Sequence, residues 1–307
     1  MNEITLKAYA KINLSLDVLG KLPNGYHEVK MVMQQVDLYD LVTVACEELP
    51  DGSPMVIRGG TTREDLPMDE TNIAYKAAML MRETYCPDKS FEIAITLQKH
   101  IPMAAGLAGG SADGAAVMRA LAKLWKLDVP VEELAALSGR VGSDVPFCLM
   151  GQEGQYCALA TGTGTDLEPV RPLNAWVVLS KPPVNVPTGA VYGNLKLDRI
   201  GQLGQSDENL LGYHPDVDRM VRALNEDDIL TVLDCMGNVL ETSTIPQYPV
   251  VGLTKKAMED LDVANAVLMS GSGPTVFGIF MDKKKAEAAY LWMKPMHKET
   301  FLVKTLV

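Results

Sequence analysis

No run of lysines and arginines in this chain is long enough to make a basic stripe. With 28 basic against 39 acidic residues in 307, its formal charge is −11, and the basic stripe required of a phosphate-backbone binder is missing. Nucleic acid is therefore not an expected partner, although one short amide-rich pocket still suffices for a single nucleotide. Cysteine pairing is missing as well. Cys46, Cys86, Cys148, Cys157 and Cys235 are odd in number, scattered, and without C-x-x-C spacing, which signals neither a disulfide framework nor a zinc site and fits a reducing cytoplasm. No apolar run is long enough to span a bilayer, and the N-terminus alternates polar and apolar residues, so neither export nor a membrane partner is expected. Repeats and low-complexity tracts are absent. Two phosphate signatures also fail: there is no G-x-x-x-x-G-K-[ST] and no G-x-G-x-x-G.

What is present is the balance of a globular protein, 47% hydrophobic and 22% charged, in a chain long enough for two domains. From Ile4 to Val18 the even positions are apolar and the odd ones mostly polar. This period of two predicts a strand, bent near Ala8 to Ala10, with Lys11 and Asn13 side by side on a polar face. Asn24-Gly25 predicts a turn that doubles the chain back, leaving Tyr26 and His27 just beyond it. "DLYDLVTVAC" and the alternation Phe91, Ile93, Ile95, Leu97 predict further strands, and "TNIAYKAAMLMRETY" a helix capped by Thr71 or Asn72. A helix opening at Ser111 and another over "VEELAALSGRV" follow. "TGTGTDLEPVRPLN" reads as a connection that divides residues 1–160 from 161–307. Beyond it come a strand at "AWVVLSKP", a helical region from "DENLLGYHPDVD", a strand–glycine loop–strand at "NAVLMSGSGPTVFGIF" and a closing helix at "KKKAEAAYLWMK".

"PMAAGLAGGSADGAA", residues 102–116, has almost no side chain that does chemistry. A strand, then Gly106, Gly109 and Gly110, then a helix gathers unpaired backbone N–H groups and a positive helix end around one point, which favours an anion. Read on its residues alone, the stretch is either such an amide-lined anion site or a flexible packing loop. Singly, the other features have plain structural readings too. Lys11 reads as a solvated strand lysine, Asp144 or Ser143 as the cap of a helix with Pro146 in its first turn, Tyr26-His27 as rim packing, and "SGSGP" (Ser270 to Pro274) as a hairpin turn.

Taken in order, "KAYAKINLSLDVLGKLPNGYHEV", "PMAAGLAGGSADGAA", "GSDVPF" and "SGSGPTVFGIF" resemble the GHMP kinases, from Leu6 to about Phe280. The pairing of "AKINL" with "NGYH" is similar to the branch that phosphorylates the 2-hydroxyl of a cytidine-diphosphate-linked methylerythritol in non-mevalonate isoprenoid synthesis. The resemblance implies an α+β fold of two lobes, a ribosomal-S5-like N-terminal lobe (1–160) and a ferredoxin-like C-terminal lobe (161–307). It implies a catalytic pair, Lys11 and Asp144, and an ATP phosphate loop of Pro102, Met103, Ala104, Ala105, Gly106, Leu107, Ala108, Gly109, Gly110, Ser111 and Ala112. Asn72 and Lys99 fall at the adenine end, and Asn13, Tyr26, His27 and Tyr192 at the cytidyl substrate. ATP and Mg2+ are implied, with no protein ligand for the metal. Where the family places glycines this chain has Ala104, Ala105 and Ala108, and a positive φ at any of them would be strained. Other acceptors within the family, homoserine or mevalonate, and a non-enzymatic nucleotide sensor are the alternative readings.

Overall fold

The computed structural model describes residues 2–307. Its contacts divide the chain into two compact units that are not consecutive in sequence: residues up to Ala10, Leu38–Met103 and Ala108–Gln155 form the first, and Lys11–Asp37, Ala104–Leu107 and Tyr156–Val307 the second.

In the first unit, the start of β1 (Asn2–Lys21) and the end of β2 (His27–Glu48) are joined by β3 (Val56–Thr61) and β4 (Phe91–Gln98). β4 runs antiparallel to β2, with Leu41 opposite Gln98 and Glu48 opposite Phe91. β3 lies parallel to β4, and α1 (Ile73–Tyr85) supplies the crossover that a parallel pair requires. The predicted alternation holds, with Phe91, Ile93, Ile95 and Leu97 all buried. Above them lie α2 (Gly109–Leu124), α3 (Val131–Ser138) and α4 (Val145–Gly151). α2 turns Ala112, Ala116, Val117, Ala120 and Leu121 inward, and at its C-terminal end Trp125 stacks on Phe91 at 4.8 Å, a contact worth about 0.5–1.5 kcal/mol beyond its burial. The helix begins at Gly109, two residues before the predicted Ser111. Ala108, at φ 57° and ψ 27°, turns the chain into the helix in place of a capping side chain.

In the second unit, β5 (Cys157–Thr161) pairs antiparallel with β2 and with β6 (Asp166–Pro169). "TGTGTDLEPVRPLN" is therefore partly a hairpin, because its glycines make the turn while Asp166–Pro169 returns as a strand. After β7 (Trp176–Lys181) come α5 (Thr188–Gly193), the short parallel pair β8 (Ile200–Gly201) and β9 (Gly212–Tyr213), α6 (Val217–Glu226), α7 (Ile229–Asp234) and β10 (Gly237–Asn238). α8 (Glu241–Gln247), α9 (Pro249–Glu259), β11 (Ala266–Met269), β12 (Val276–Phe280), α10 (Lys283–Met293) and β13 (Glu299–Lys304) complete it. The second sheet has the order β11-β12-β7-β13 and is antiparallel throughout. With helices between β7 and β11 and between β12 and β13, this is the ferredoxin-like arrangement. β12 is buried along its whole length.

One further expectation is corrected by burial, while the turn at Asn24-Gly25 does return the chain from β1 to β2. The polar face of β1 is not solvated: Lys11 is 4% exposed, Asn13 and Ser15 0%, and Asp17 5%. The link after Lys21 is a five-residue loop, in which the Asn24 side chain accepts the Tyr26 N–H at 3.0 Å. Among the described residues, no helix is long and apolar enough to cross a membrane.

Candidate active site

An ammonium loses several kcal/mol of hydration on burial unless polar groups replace the water. In the second unit Lys11 donates from Nζ to Asn13 Oδ1 at 2.8 Å, two residues along the same strand face, and Asn13 Nδ2 lies 3.2 Å from Met31 Sδ. The turn between β11 and β12 closes over this pair. A Cβ added at Gly271 would come within 3.5 Å of Lys11 Nζ and 3.6 Å of Asn13 Oδ1, at a φ of +56° that a side chain rarely adopts. Asn238 of β10 fixes the turn by donating Nδ2 to the carbonyls of Met269 and Gly271, each at 2.8 Å. "SGSGP" is thus a hairpin turn, as read, and also a wall against Lys11.

The same turn holds the middle of the glycine stretch. Ser270 Oγ donates to the Gly106 carbonyl at 3.0 Å, and the Lys11 N–H donates to the Leu107 carbonyl at 3.1 Å. Gly106 has φ +73°, and a Cβ there would overlap the Ser270 carbonyl. The strain expected of alanines in glycine positions is found at Ala104 (φ 48°) and Ala108 (φ 57°), each costing about 1–2 kcal/mol.

Of the expected substrate residues, His27 and Tyr192 come together, with ring centroids 5.2 Å apart and planes tilted by 39°. Burial, and after it the Lys21 charge, hold the His27 imidazole below its ordinary pKa. Tyr26 is 63% exposed.

In the first unit, α2 starts with no side chain capping it. Its opening N–H groups, those of Gly109, Gly110 and Ser111, have no intrahelical acceptor by the geometry of any helix start. A Cβ at Gly142 would lie 4.0 Å from Ser111 Oγ, so the segment carrying Asp144 passes beside that start. Asp144 occupies the cap position of α4, with Pro146 in the first turn, but its carboxylate makes no capping bond.

The two residues expected at the adenine end have side chains engaged elsewhere. Asn72 caps α1, accepting from the Ala74 N–H at 2.8 Å and donating to the Pro67 carbonyl at 2.7 Å. Lys99 Nζ is bonded to Asp40 Oδ2 and to Asp113 Oδ2 at 2.6 Å. Its side chain is 4% exposed whereas the residue as a whole is half-buried, so what Lys99 presents outward is main chain.

Asp40 and Asp113 escaped the sequence reading although each breaks a pattern. Asp40 occupies the apolar register Leu38, Val42, Val44 of β2, and Asp113 stands one helical turn before Val117 on the inward face of α2. An acid in an apolar register is the signal that finds both. Among the described residues no three His, Cys, Asp or Glu side chains cluster as a metal site.

The description of the GHMP kinase N-terminal domain matches residues 72–152, and that of the GHMP kinase C-terminal domain residues 220–294. The chain is 44% identical to a protein of Geobacillus thermodenitrificans named 4-diphosphocytidyl-2-C-methyl-D-erythritol kinase, over 99% of this chain and 97% of that one. This chain belongs to the GHMP kinases. Among solved structures it is similar to a 4-(cytidine 5'-diphospho)-2C-methyl-D-erythritol kinase, at 28% identity and a TM-score of 0.77, covering 99% of this chain and all of that one. A homoserine kinase from Cytophaga hutchinsonii, 21% identical with a TM-score of 0.73 over 100% and 95% of the two chains, shares the fold.

As a GHMP kinase the protein takes its phosphate from ATP and acts on a small molecule. The N-terminal family match contains Asn72, Lys99, the glycine stretch and Asp144, while Lys11, Asn13, Tyr26 and His27 lie ahead of it. The C-terminal match contains the turn over Lys11.

Proposed function

We propose that this GHMP kinase transfers the γ-phosphoryl group of ATP to the 2-hydroxyl of 4-diphosphocytidyl-2-C-methyl-D-erythritol, in the cytoplasm, as a step of non-mevalonate isoprenoid synthesis. The observation that carries the reading is the burial of Lys11 against Asn13, in a chain whose whole length aligns with kinases of that name. A lysine costs too much to bury for solubility alone.

Phosphoryl transfer asks the protein mainly to align the acceptor and to meet charge on the transferring group. In this reading the amides of residues 102–112 hold the phosphates, Asp144 accepts the hydroxyl proton, and Lys11 positions that hydroxyl and neutralises the developing charge. The lobe of residues 1–160 supplies the phosphate loop and both members of this pair, and that of 161–307 supplies Tyr192. Asn13, Tyr26, His27 and Tyr192 hold the cytidyl substrate, where stacking on an aromatic is worth about 1–3 kcal/mol. At the adenine end, the main chain of Lys99 and the neighbourhood of Asn72 serve. Magnesium, when bound with the nucleotide, would neutralise phosphate charge, with phosphate oxygens and water as its usual ligands.

The test is an acceptor panel with ATP, run with the Asp144→Asn variant beside the wild type. The cytidyl compound is expected to be phosphorylated and homoserine and mevalonate left untouched, and the variant to lose about 10²- to 10⁴-fold in kcat while still binding both ligands. Turnover of homoserine in place of the cytidyl compound would reject the substrate, and a fully active variant would reject Asp144 as the base.

A further inference from the structure

Three buried charged side chains of the first unit have no part in the chemistry above. Lys99 Nζ bridges Asp40 and Asp113, and all three side chains are at most 4% exposed. Asp40 Oδ1 also accepts the N–H groups of His100 at 2.5 Å and Ile101 at 2.9 Å. The cluster therefore fixes the chain just before the glycine stretch to the second turn of the helix just after it. A Cβ at Gly109 would lie 3.5 Å from Lys99 Nζ and 3.0 Å from the Ile101 side chain, so the ammonium sits directly under the opening of α2.

The charges do not balance. Two carboxylates against one ammonium leave one negative charge in excess, and burial makes an excess charge costly. Asp113 Oδ1 is buried with no hydrogen-bond partner, whereas both oxygens of Asp40 are engaged, so Asp113 is the place for a proton. In agreement, burial pushes the Asp113 carboxyl up to about 7 against the pull of Lys99. Burial draws the Lys99 ammonium down, but the two carboxylates outweigh it and its pKa ends above the ordinary value. The charged groups of the packed helices are outside the buried cluster: Lys76, Arg82 and Glu83 of α1 and Glu132 and Glu133 of α3 are exposed or half-buried, and α4 has none. On the strands Arg58 pairs with Glu92 and Glu48 with Lys89, and Glu47 is exposed. On α2 itself Arg119 pairs with Glu153 and Lys123 is exposed; His100 is exposed, its ring on the Tyr39 carbonyl.

We propose that Asp40, Lys99 and Asp113 form a positioning element for the phosphate loop in which the proton on Asp113 tunes nucleotide affinity. The inference rests on the reading of residues 102–112 as the phosphate site. With Asp113 protonated the cluster is neutral and the helix start attracts a triphosphate. Ionised, it places a full negative charge beneath that start and opposes binding.

The experiment is calorimetric titration of Mg·ATP, without acceptor, into the full chain and into Asp113→Asn and Asp40→Asn, from about pH 6 to about pH 8.5, a range spanning ordinary histidine-like titration. Dividing each wild-type Kd by the variant's removes the titration of ATP itself. That ratio is expected to rise about fivefold across the range for both variants, because Asp113→Asn holds the site neutral and Asp40→Asn leaves one carboxylate for one ammonium. A purely structural role would shift affinity equally at all pH, and a ratio constant with pH for whichever variant folds overturns the inference. If wild type binds ATP with such a constant ratio, only this inference falls; if it binds no ATP at any pH, the phosphate-site reading falls and this one with it.

Discussion

Lys11 and Lys99 are hidden to the same degree, 4% exposed as a residue in the first case and as a side chain in the second. Their neighbours differ. Lys99 is held between two carboxylates, and its charge is consumed in tying a strand end to a helix. Lys11 lies along a neutral amide and a turn whose glycine leaves room beside the ammonium. A cation locked between two acids is a tie, whereas in the reading proposed above Lys11 meets charge on the transferring group.

Three substitutions sharpen or break that comparison. Lys11→Met is expected to cost roughly 10³-fold in kcat, as loss of a preorganised charge does, with a urea midpoint close to wild type; a large loss of stability with retained turnover would make Lys11 a second tie. Lys99→Met leaves two buried acids without their cation and is expected to destabilise the fold by about 3–5 kcal/mol. It also has a pH signature. Because the folded-state pKa of Asp113 already lies above its unfolded value of 3.8, the folded protein holds the extra proton, and Asp113 makes stability fall as pH rises from about 4 to about 7. Removing Lys99 should steepen that fall in urea denaturation, and a flat profile would separate Asp113 from the cluster. The smallest effect belongs to Ala108→Gly. Relieving the positive φ ahead of α2 should raise stability by about 0.5–1 kcal/mol, and a lower melting temperature would show that the alanine methyl contributes more packing than strain.

Much of this arrangement was legible because period and spacing report which residues share a face. The alternation through Lys11 and Asn13 placed them together, and the glycines at 106, 109 and 110 marked the stretch before α2. What alternation leaves open is the cover over a face. The polar strip of β1 is closed by Asn238 and the turn at Gly271, more than 200 residues downstream, so Lys11 read as solvated when it is buried. The partners of the Lys99 side chain were hidden for the same reason, since Asp40 and Asp113 come from two other elements. Conversely, the glycine and proline content of residues 161–174 hid a strand whose pairing with β5 supplies what local propensity lacks.

The threading of the chain through its two compact units bears on how such an enzyme can be recombined. Junctions fall between residues 10 and 11, 37 and 38, 103 and 104, 107 and 108, and 155 and 156. A chimaera with one crossover at residue 160 would pair β1 of one parent with β10 of the other, cut β5 near its end and divide the second unit between the parents. Shuffling with a relative would respect the packing only if the four residues Ala104–Leu107 travelled with the C-terminal portion, like a stitch that belongs to the opposite cloth.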